Sequence, residues 1–128
     1  MSETILVGED EEHARALLEI KLRNSGYEVV TAEDGEAALK QTLALLPDLV
    51  VLDIMMPAMT GFEVLAALKQ NPSTSSIPII LVSAQSNEEN ILKGLRLGAN
   101  DYMVKPFSPH ELVARVKTLL LHAKTKKR

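Results

Sequence analysis

Residues with reactive side chains recur at the ends of short apolar runs. Glu9 and Asp10 open the acidic run Glu9-Asp10-Glu11-Glu12, just after Ile5-Leu6-Val7. Asp53 stands near the end of Asp48-Leu49-Val50-Val51-Leu52-Asp53-Ile54, Ser83 and Ala84 follow Ile79-Ile80-Leu81-Val82, and Lys105 follows Tyr102-Met103-Val104. An Asp closing an apolar segment is costly to bury unless it is paired or used. Packed carboxylates also repel: two unit charges ~4 Å apart cost roughly 4 kcal/mol at an effective dielectric of about 20. If Glu9, Asp10 and Asp53 converge, they require a cation. An all-oxygen site with two carboxylates and room for waters and a phosphate suits Mg²⁺. Lys105 would bring an ammonium to a phosphoryl oxygen and Ser83 a hydroxyl to another. Asp53 is then a nucleophilic carboxylate, as in aspartyl-phosphate chemistry, with Mg²⁺ neutralising the charge that develops.

The elements that must bring these residues together are legible from periodicity. Ile5–Val7, Glu28–Ala32, Asp48–Ile54, Ile79–Val82 and Tyr102–Val104 read as strands. Segments of helical period lie between them. The first spans about Glu11 to Ser25 and is ended by Gly26; the second has Asp34 as N-cap and runs to Leu46 before Pro47. Phe62–Gln70 is the third, after a loop from Met55 to Gly61, and Asn87–Leu97 is the fourth. Ser108-Pro109-His110-Glu111 predicts a capping box with proline at the first helical position, opening a helix to about Ala123. Five strands alternating with five helices imply an α/β fold with a doubly wound parallel sheet. Ligands bind such sheets beyond the carboxyl ends of the strands, where the reactive residues fall.

Composition narrows the function. The chain has 128 residues, 46% of them hydrophobic, which fits one domain with a sizeable core. Residues 1–123 are expected to form it, with 124–128 a basic tail or linker stub. No Cys is present, so thiolate metal sites and disulfides are excluded, as suits a reducing cytoplasm. A net charge of −3 argues against direct nucleic-acid binding by the domain body. No segment reads as a signal peptide or membrane span. His13, His110 and His122 fall on predicted helices and receive no catalytic role.

Over nearly its full length the chain resembles bacterial response-regulator receiver domains of two-component signalling. The resemblance rests on Ile5-Leu6-Val7-Gly8-Glu9-Asp10-Glu11, Asp53-Ile54-Met55-Met56-Pro57 with Met59 and Gly61, Val82-Ser83-Ala84, and Gly98-Ala99-Asn100-Asp101-Tyr102-Met103-Val104-Lys105-Pro106-Phe107, in this order. It implies a flavodoxin-like (βα)5 sheet of strand order 2-1-3-4-5. It implies Asp53 as phosphoacceptor, and Glu9, Asp10, Asp53 and the Met55 carbonyl as the Mg²⁺ site. Ser83, Ala84 and Lys105 would bind phosphate, with a cis bond before Pro106. Ser83 and Tyr102 would form a switch pair. Met55 and Gln85, each two residues past a site residue, would tune the lifetime of the phosphoryl group. Implied partners are a histidine kinase or histidine phosphotransfer protein and an output protein or domain. Such a module is a signalling domain that promotes its own phosphorylation and dephosphorylation, not a metabolic enzyme. The sequence departs from the family at Glu9, where Asp is also common, at Glu12, where Pro is frequent, and at Thr60, where Asp is frequent.

Rival readings meet specific obstacles. A haloacid dehalogenase-type phosphatase needs an acid two residues after its nucleophile, where this chain has Met55. A flavin binder needs a hydroxyl- and glycine-rich loop after the first strand, where this chain has acids. A degenerate receiver would not retain Asp10, Asp53, Ser83 and Lys105. The segment Lys105–Arg115 is similar to winged-helix regulators, whose receivers pair through the fourth helix, fifth strand and fifth helix. Asp101 and Arg115 fit that pairing, but Ile91 and Arg96 do not: Arg96 would oppose Lys117. A monomer or weak dimer is therefore expected, with that face docking a different protein.

Overall fold

The central strands consist mainly of apolar residues because both faces of the sheet are covered there. The computed structural model describes residues 2–126. Its elements are β1 (Thr4–Gly8), α1 (Glu12–Asn24), β2 (Glu28–Ala32), α2 (Gly35–Leu45), β3 (Leu49–Asp53), α3 (Gly61–Gln70), β4 (Ile79–Ser83), α4 (Glu88–Arg96), β5 (Asp101–Val104) and α5 (Pro109–Lys126). All strand pairs are parallel, in the order β2-β1-β3-β4-β5. The doubly wound α/β sheet implied by the sequence is therefore the fold.

Alternation of side chains divides the core in two. Ile5, Val7, Leu49, Val51, Ile80, Val82 and Met103 pack with Leu18 and Leu22 of α1 and Leu112, Val113, Val116 and Leu120 of α5. Leu6, Val50, Leu52, Ile79 and Leu81 pack on the other side with Ala38 of α2 and Val64, Leu65 and Leu68 of α3. On α4 the buried residue is Gly94. A Cβ there would lie 2.7 Å from Leu81 Cδ1, so its backbone rests directly on the sheet.

Several boundaries differ from the sequence-based expectation, each for a local reason. Helix α3 begins at Gly61, not Phe62, because Thr60 and Glu63 form a full capping box. The box expected at α5 is incomplete. Ser108 Oγ accepts from the His110 N–H (3.1 Å), while the Glu111 carboxylate turns to Arg115 Nη2 (3.0 Å). An arginine one turn on thus wins the carboxylate from the helix start. Helix α5 also continues beyond Ala123 to Lys126, through residues with no breaker among them, and Lys124 Nζ lies 3.4 Å from the Glu3 carboxylate. Lys127 and Arg128 of the expected tail lie outside the described residues.

The corner between β3 and α3 is built tightly. A Cβ on Gly61 would stand 2.6 Å from the Asp53 carbonyl oxygen and 2.8 Å from Ile54 Cα, both backbone atoms that cannot rotate aside. Gly61→Ala is therefore expected to destabilise the domain by about 2 kcal/mol or more, through overpacking. Urea denaturation measures this, and an unchanged midpoint would show that the corner yields.

Candidate functional site

The carboxyl ends of β1, β3, β4 and β5 bring the sequence-predicted residues to one rim of the sheet. Continuing the alternation, Glu9 follows Ile5 and Val7, Asp53 follows Leu49 and Val51, and Lys105 follows Met103, so all three fall on the side covered by α1 and α5. They meet there. Lys105 Nζ lies 2.6 Å from Asp53 Oδ2 and 2.7 Å from Glu9 Oε1. Glu9 is 1% exposed and Asp53 5%, so both carboxylates are held in the interior. Asp10 is exposed beside them. One carboxylate oxygen from each of Glu9, Asp10 and Asp53 falls within 4.8 Å of the others.

Every oxygen of the buried acids is engaged. Asp53 Oδ1 accepts from the Met55 N–H (3.0 Å) and Glu9 Oε2 from the Glu11 N–H (3.1 Å). Burial works against the Lys105 ammonium, but the hydrogen bonds and charges of Asp53 and Glu9 outweigh it, so its pKa lies above the ordinary lysine value. The rest of the acidic run has a separate task. Glu11 caps α1 by accepting from the His13 and Ala14 N–H groups, and the Ala14 and His13 bonds hold its carboxyl below the usual range. Glu12 lies in the first turn, where an acid suits the helix dipole. Half of the acidic run thus belongs to the cluster and half to the helix start.

Ser83 and Tyr102 have the other parity, on the side of α3 and α4. Ser83 is fully buried, and its Oγ accepts from the Gln85 N–H (3.0 Å). The half-buried Tyr102 ring packs against the second core cluster, and its hydroxyl donates to the Gln85 carbonyl (2.8 Å). The expected switch pair is thus joined through the backbone of Gln85. Gln85 Nε2 also lies 4.0 Å from Met55 Sδ, so the two expected lifetime-tuning side chains meet. Ala84 is exposed next to Ser83. The peptide between Lys105 and Pro106 is cis.

Two placements lie outside the sequence-based expectation. Asn90, to which no role falls from the sequence, donates through Nδ2 to Gln85 Oε1, a contact that its spacing after the N-cap Asn87 does not signal. Asp101 and Arg115, which fitted a contact between copies, bond to each other within the chain, Nη1 to Oδ2 at 2.6 Å. That pair and the Glu111 contact raise the Arg115 pKa. Beside the cluster, a groove of about 420 Å³ opens between α1 and the β5–α5 segment, lined mainly by Leu17, Leu18, Pro106, Phe107 and Pro109.

The paired carboxylates make Lys105 a stability determinant as well. Lys105→Met leaves Glu9 and Asp53 without their ammonium and is expected to cost about 2 kcal/mol at neutral pH. Because the folded-state pKa of Lys105 is raised, its contribution is fully present below the unfolded value of 10.5 and is lost as pH rises through the folded value. The stability gap between wild type and Lys105→Met, from urea titrations, should therefore stay constant through neutral pH and narrow above the ordinary lysine range. A gap that narrows between pH 6 and pH 8 would contradict the ~2 kcal/mol assignment to this ion pair.

Comparison with known proteins places this geometry. The family model described as the response regulator receiver domain matches residues 5–117. The chain is 48% identical over 120 residues to the alkaline phosphatase synthesis transcriptional regulatory protein PhoP of Bacillus subtilis, covering 94% of this chain and 49% of that protein. It is 42% identical to the phosphate regulon transcriptional regulatory protein PhoB of Pseudomonas aeruginosa, covering 94% and 52%. The chain thus spans about half the length of these curated relatives. Among solved structures, the receiver domain of the Francisella response regulator 1452 superposes with a TM-score of 0.89 at 32% identity, covering 94% of this chain and 98% of that one. The Vibrio cholerae chemotaxis protein CheY4 gives 0.87 at 30% identity, covering 92% and 98%. The chain therefore belongs to the response regulator receiver domain family.

Proposed function

We propose that this receiver takes a phosphoryl group on Asp53 from a phosphorylated histidine of a kinase or phosphotransfer protein. The observation that carries the reading is the buried Asp53 carboxylate at the end of a central strand, 2.6 Å from Lys105 Nζ and grouped with Glu9 and Asp10. In the transfer, an Asp53 oxygen bonds to phosphorus, and the phosphorus–nitrogen bond to the donor imidazole breaks with its electron pair going to nitrogen. Lys105 holds its ammonium where a phosphoryl oxygen arrives, Ser83 supplies a hydroxyl and Ala84 its backbone. The apolar groove between α1 and the β5–α5 segment offers the donor protein a surface beside the acceptor.

The donor set also fits Mg²⁺. It consists of oxygens alone, it is more acidic than Lys105 can neutralise, and the exposure of Asp10 leaves room for waters. Glu9, Asp10, Asp53 and the Met55 carbonyl would hold the ion, which when bound supplies charge neutralisation to the transferring group. Incubation with acetyl phosphate and Mg²⁺ should add one phosphoryl group by intact mass. Asp53→Asn should abolish the addition, Asp10→Ala should weaken it, and chelator should suppress it. Undiminished labelling of Asp53→Asn would refute the assignment.

The response passes to the face formed by α4, β5 and α5, through the pairing of Ser83 with Tyr102. The relatives named as transcriptional regulatory proteins support an output of that kind in the whole protein. With Arg115 engaged within its own chain by Asp101 and Glu111, and with Arg96 and Lys117 opposed, a symmetric pair through this face is disfavoured. The face would instead dock a different protein, leaving the domain a monomer or weak dimer.

Met55 is 59% exposed and stands directly after the Asp53 segment, with its N–H on Asp53 Oδ1. A thioether orients water poorly. Met55→Asn is therefore expected to shorten the lifetime of the phosphoryl group. Dephosphorylation rates of the two proteins check this, and an equal or slower rate in the variant counts against it.

A further inference from the structure

Gln85 lies between β4 and α4, and four neighbours hold it although it is exposed. The contacts to Ser83 Oγ and Tyr102 Oη use its peptide groups, which any residue supplies. The other two use its side chain: Oε1 accepts from Asn90 Nδ2, and Nε2 faces Met55 Sδ. A carboxamide is planar, with its acceptor and donor ends on opposite sides of one carbon. Once Asn90 claims the oxygen, the NH2 end is turned towards Met55, the exposed residue whose N–H donates to Asp53 Oδ1 and which marks the mouth above Asp53. Asn90 is itself anchored. It is the third residue of α4, is half-buried, and its N–H donates to Oδ1 of the N-cap Asn87 (3.2 Å).

We propose that Asn90 is a positioning residue for the lifetime of the phosphoryl group: it fixes which end of the Gln85 carboxamide faces the Asp53 mouth. The proposal rests on the phosphoacceptor reading of Asp53. In hydrolysis, a water oxygen bonds to phosphorus and the bond from phosphorus to the Asp53 oxygen breaks. The carboxylate leaves with the electron pair, and the water protons pass to orthophosphate and solvent. An acceptor near the mouth can hold and orient that water; an NH2 group cannot accept its proton. Asn90 thus keeps the donor end inward and slows attack. Because Asn90 belongs to α4, a partner that shifts the start of this helix also releases the carboxamide. Output binding and phosphoryl lifetime are then linked through one side chain.

Asn90→Asp separates this role from a structural one. The carboxylate keeps the size of the side chain but accepts where Asn90 donates, so it attracts the Gln85 NH2 end and turns Oε1 to the mouth. An acid in the first turn of α4 also suits the helix dipole, so the fold should persist. In the unmodified domain, the Gln85 side-chain amide resonances in ¹⁵N NMR should move. After labelling with acetyl phosphate and Mg²⁺, loss of the phosphoryl group by intact mass should become about threefold to tenfold faster, the scale of one hydrogen bond. In a Gln85→Ala background, the same substitution should change nothing. Unmoved amide resonances, or a rate effect that persists without the Gln85 side chain, would overturn the proposal. If wild type takes no phosphoryl group at all, the phosphoacceptor reading fails and takes the lifetime role with it, and the amide resonances then decide only whether Asn90 orients Gln85.

Discussion

Two carboxylates buried side by side are the constraint around which this molecule is arranged. Glu9 and Asp53 sit in the interior at the ends of neighbouring strands, and the Lys105 ammonium lies between them. Unpaired, such charges would resist burial strongly. The three groups come from β1, β3 and the end of β5, so the ion pairs also lock together strands that are not all adjacent in the sheet. The order β2-β1-β3-β4-β5 makes this possible, since the winding reverses at the boundary of β1 and β3, where the acids lie. The acidic cluster and the closure of the sheet rim are therefore one structure.

Parity assigns the remaining roles. Odd-numbered positions on β1, β3 and β5 carry Glu9, Asp53 and Lys105 to the α1/α5 side, while Ser83 and Tyr102 have the opposite sense and look toward α4. The acidic cluster on one side and the Ser83 and Tyr102 side chains on the other are thus separated by the thickness of the sheet. The two sides are bridged at the rim by Gln85, whose peptide touches Ser83 and Tyr102 and whose side chain reaches Met55, the residue whose N–H donates to Asp53 Oδ1. A loop residue can do this because its backbone groups are not committed to a ladder.

Much of this was legible in the sequence. The apolar runs located every strand, and the residues after them located the cluster, because a parallel strand buried on both faces leaves few alternatives to a functional reading of Asp53. What stayed hidden was competition between local partners. Ser108 and Glu111 have the spacing of a capping box, yet Arg115 takes the glutamate; Thr60, which reads as loop, forms the box with Glu63 of the following helix. Spacing shows which bonds are open to a side chain, not which neighbour arrives. The grip of Asn90 on Gln85 was invisible for the same reason. Asp101 and Arg115 have the charges of a contact between copies, but their distance apart within one chain depends on how α5 crosses β5.

Gly94 has a thermodynamic consequence. Burying a Leu or Val side chain contributes roughly 1.5–3 kcal/mol, and the other helices with Leu or Val in the core receive that contribution. The one buried residue of helix α4 has no side chain, Ile91 and the C-cap Leu97 are only partly buried, and Leu92 and Leu95 remain 38% and 45% exposed. Its attachment therefore contains little of the hydrophobic free energy that holds its neighbours. In an ensemble description, α4 is then expected to be a unit of sub-global opening that detaches below the free energy of the whole domain. Amide hydrogens along it would exchange while those of β1 and β3 stay protected. A protein that covered Leu92 and Leu95 would supply the burial that intramolecular folding leaves undone, making α4 a helix whose final stability is set by its partner.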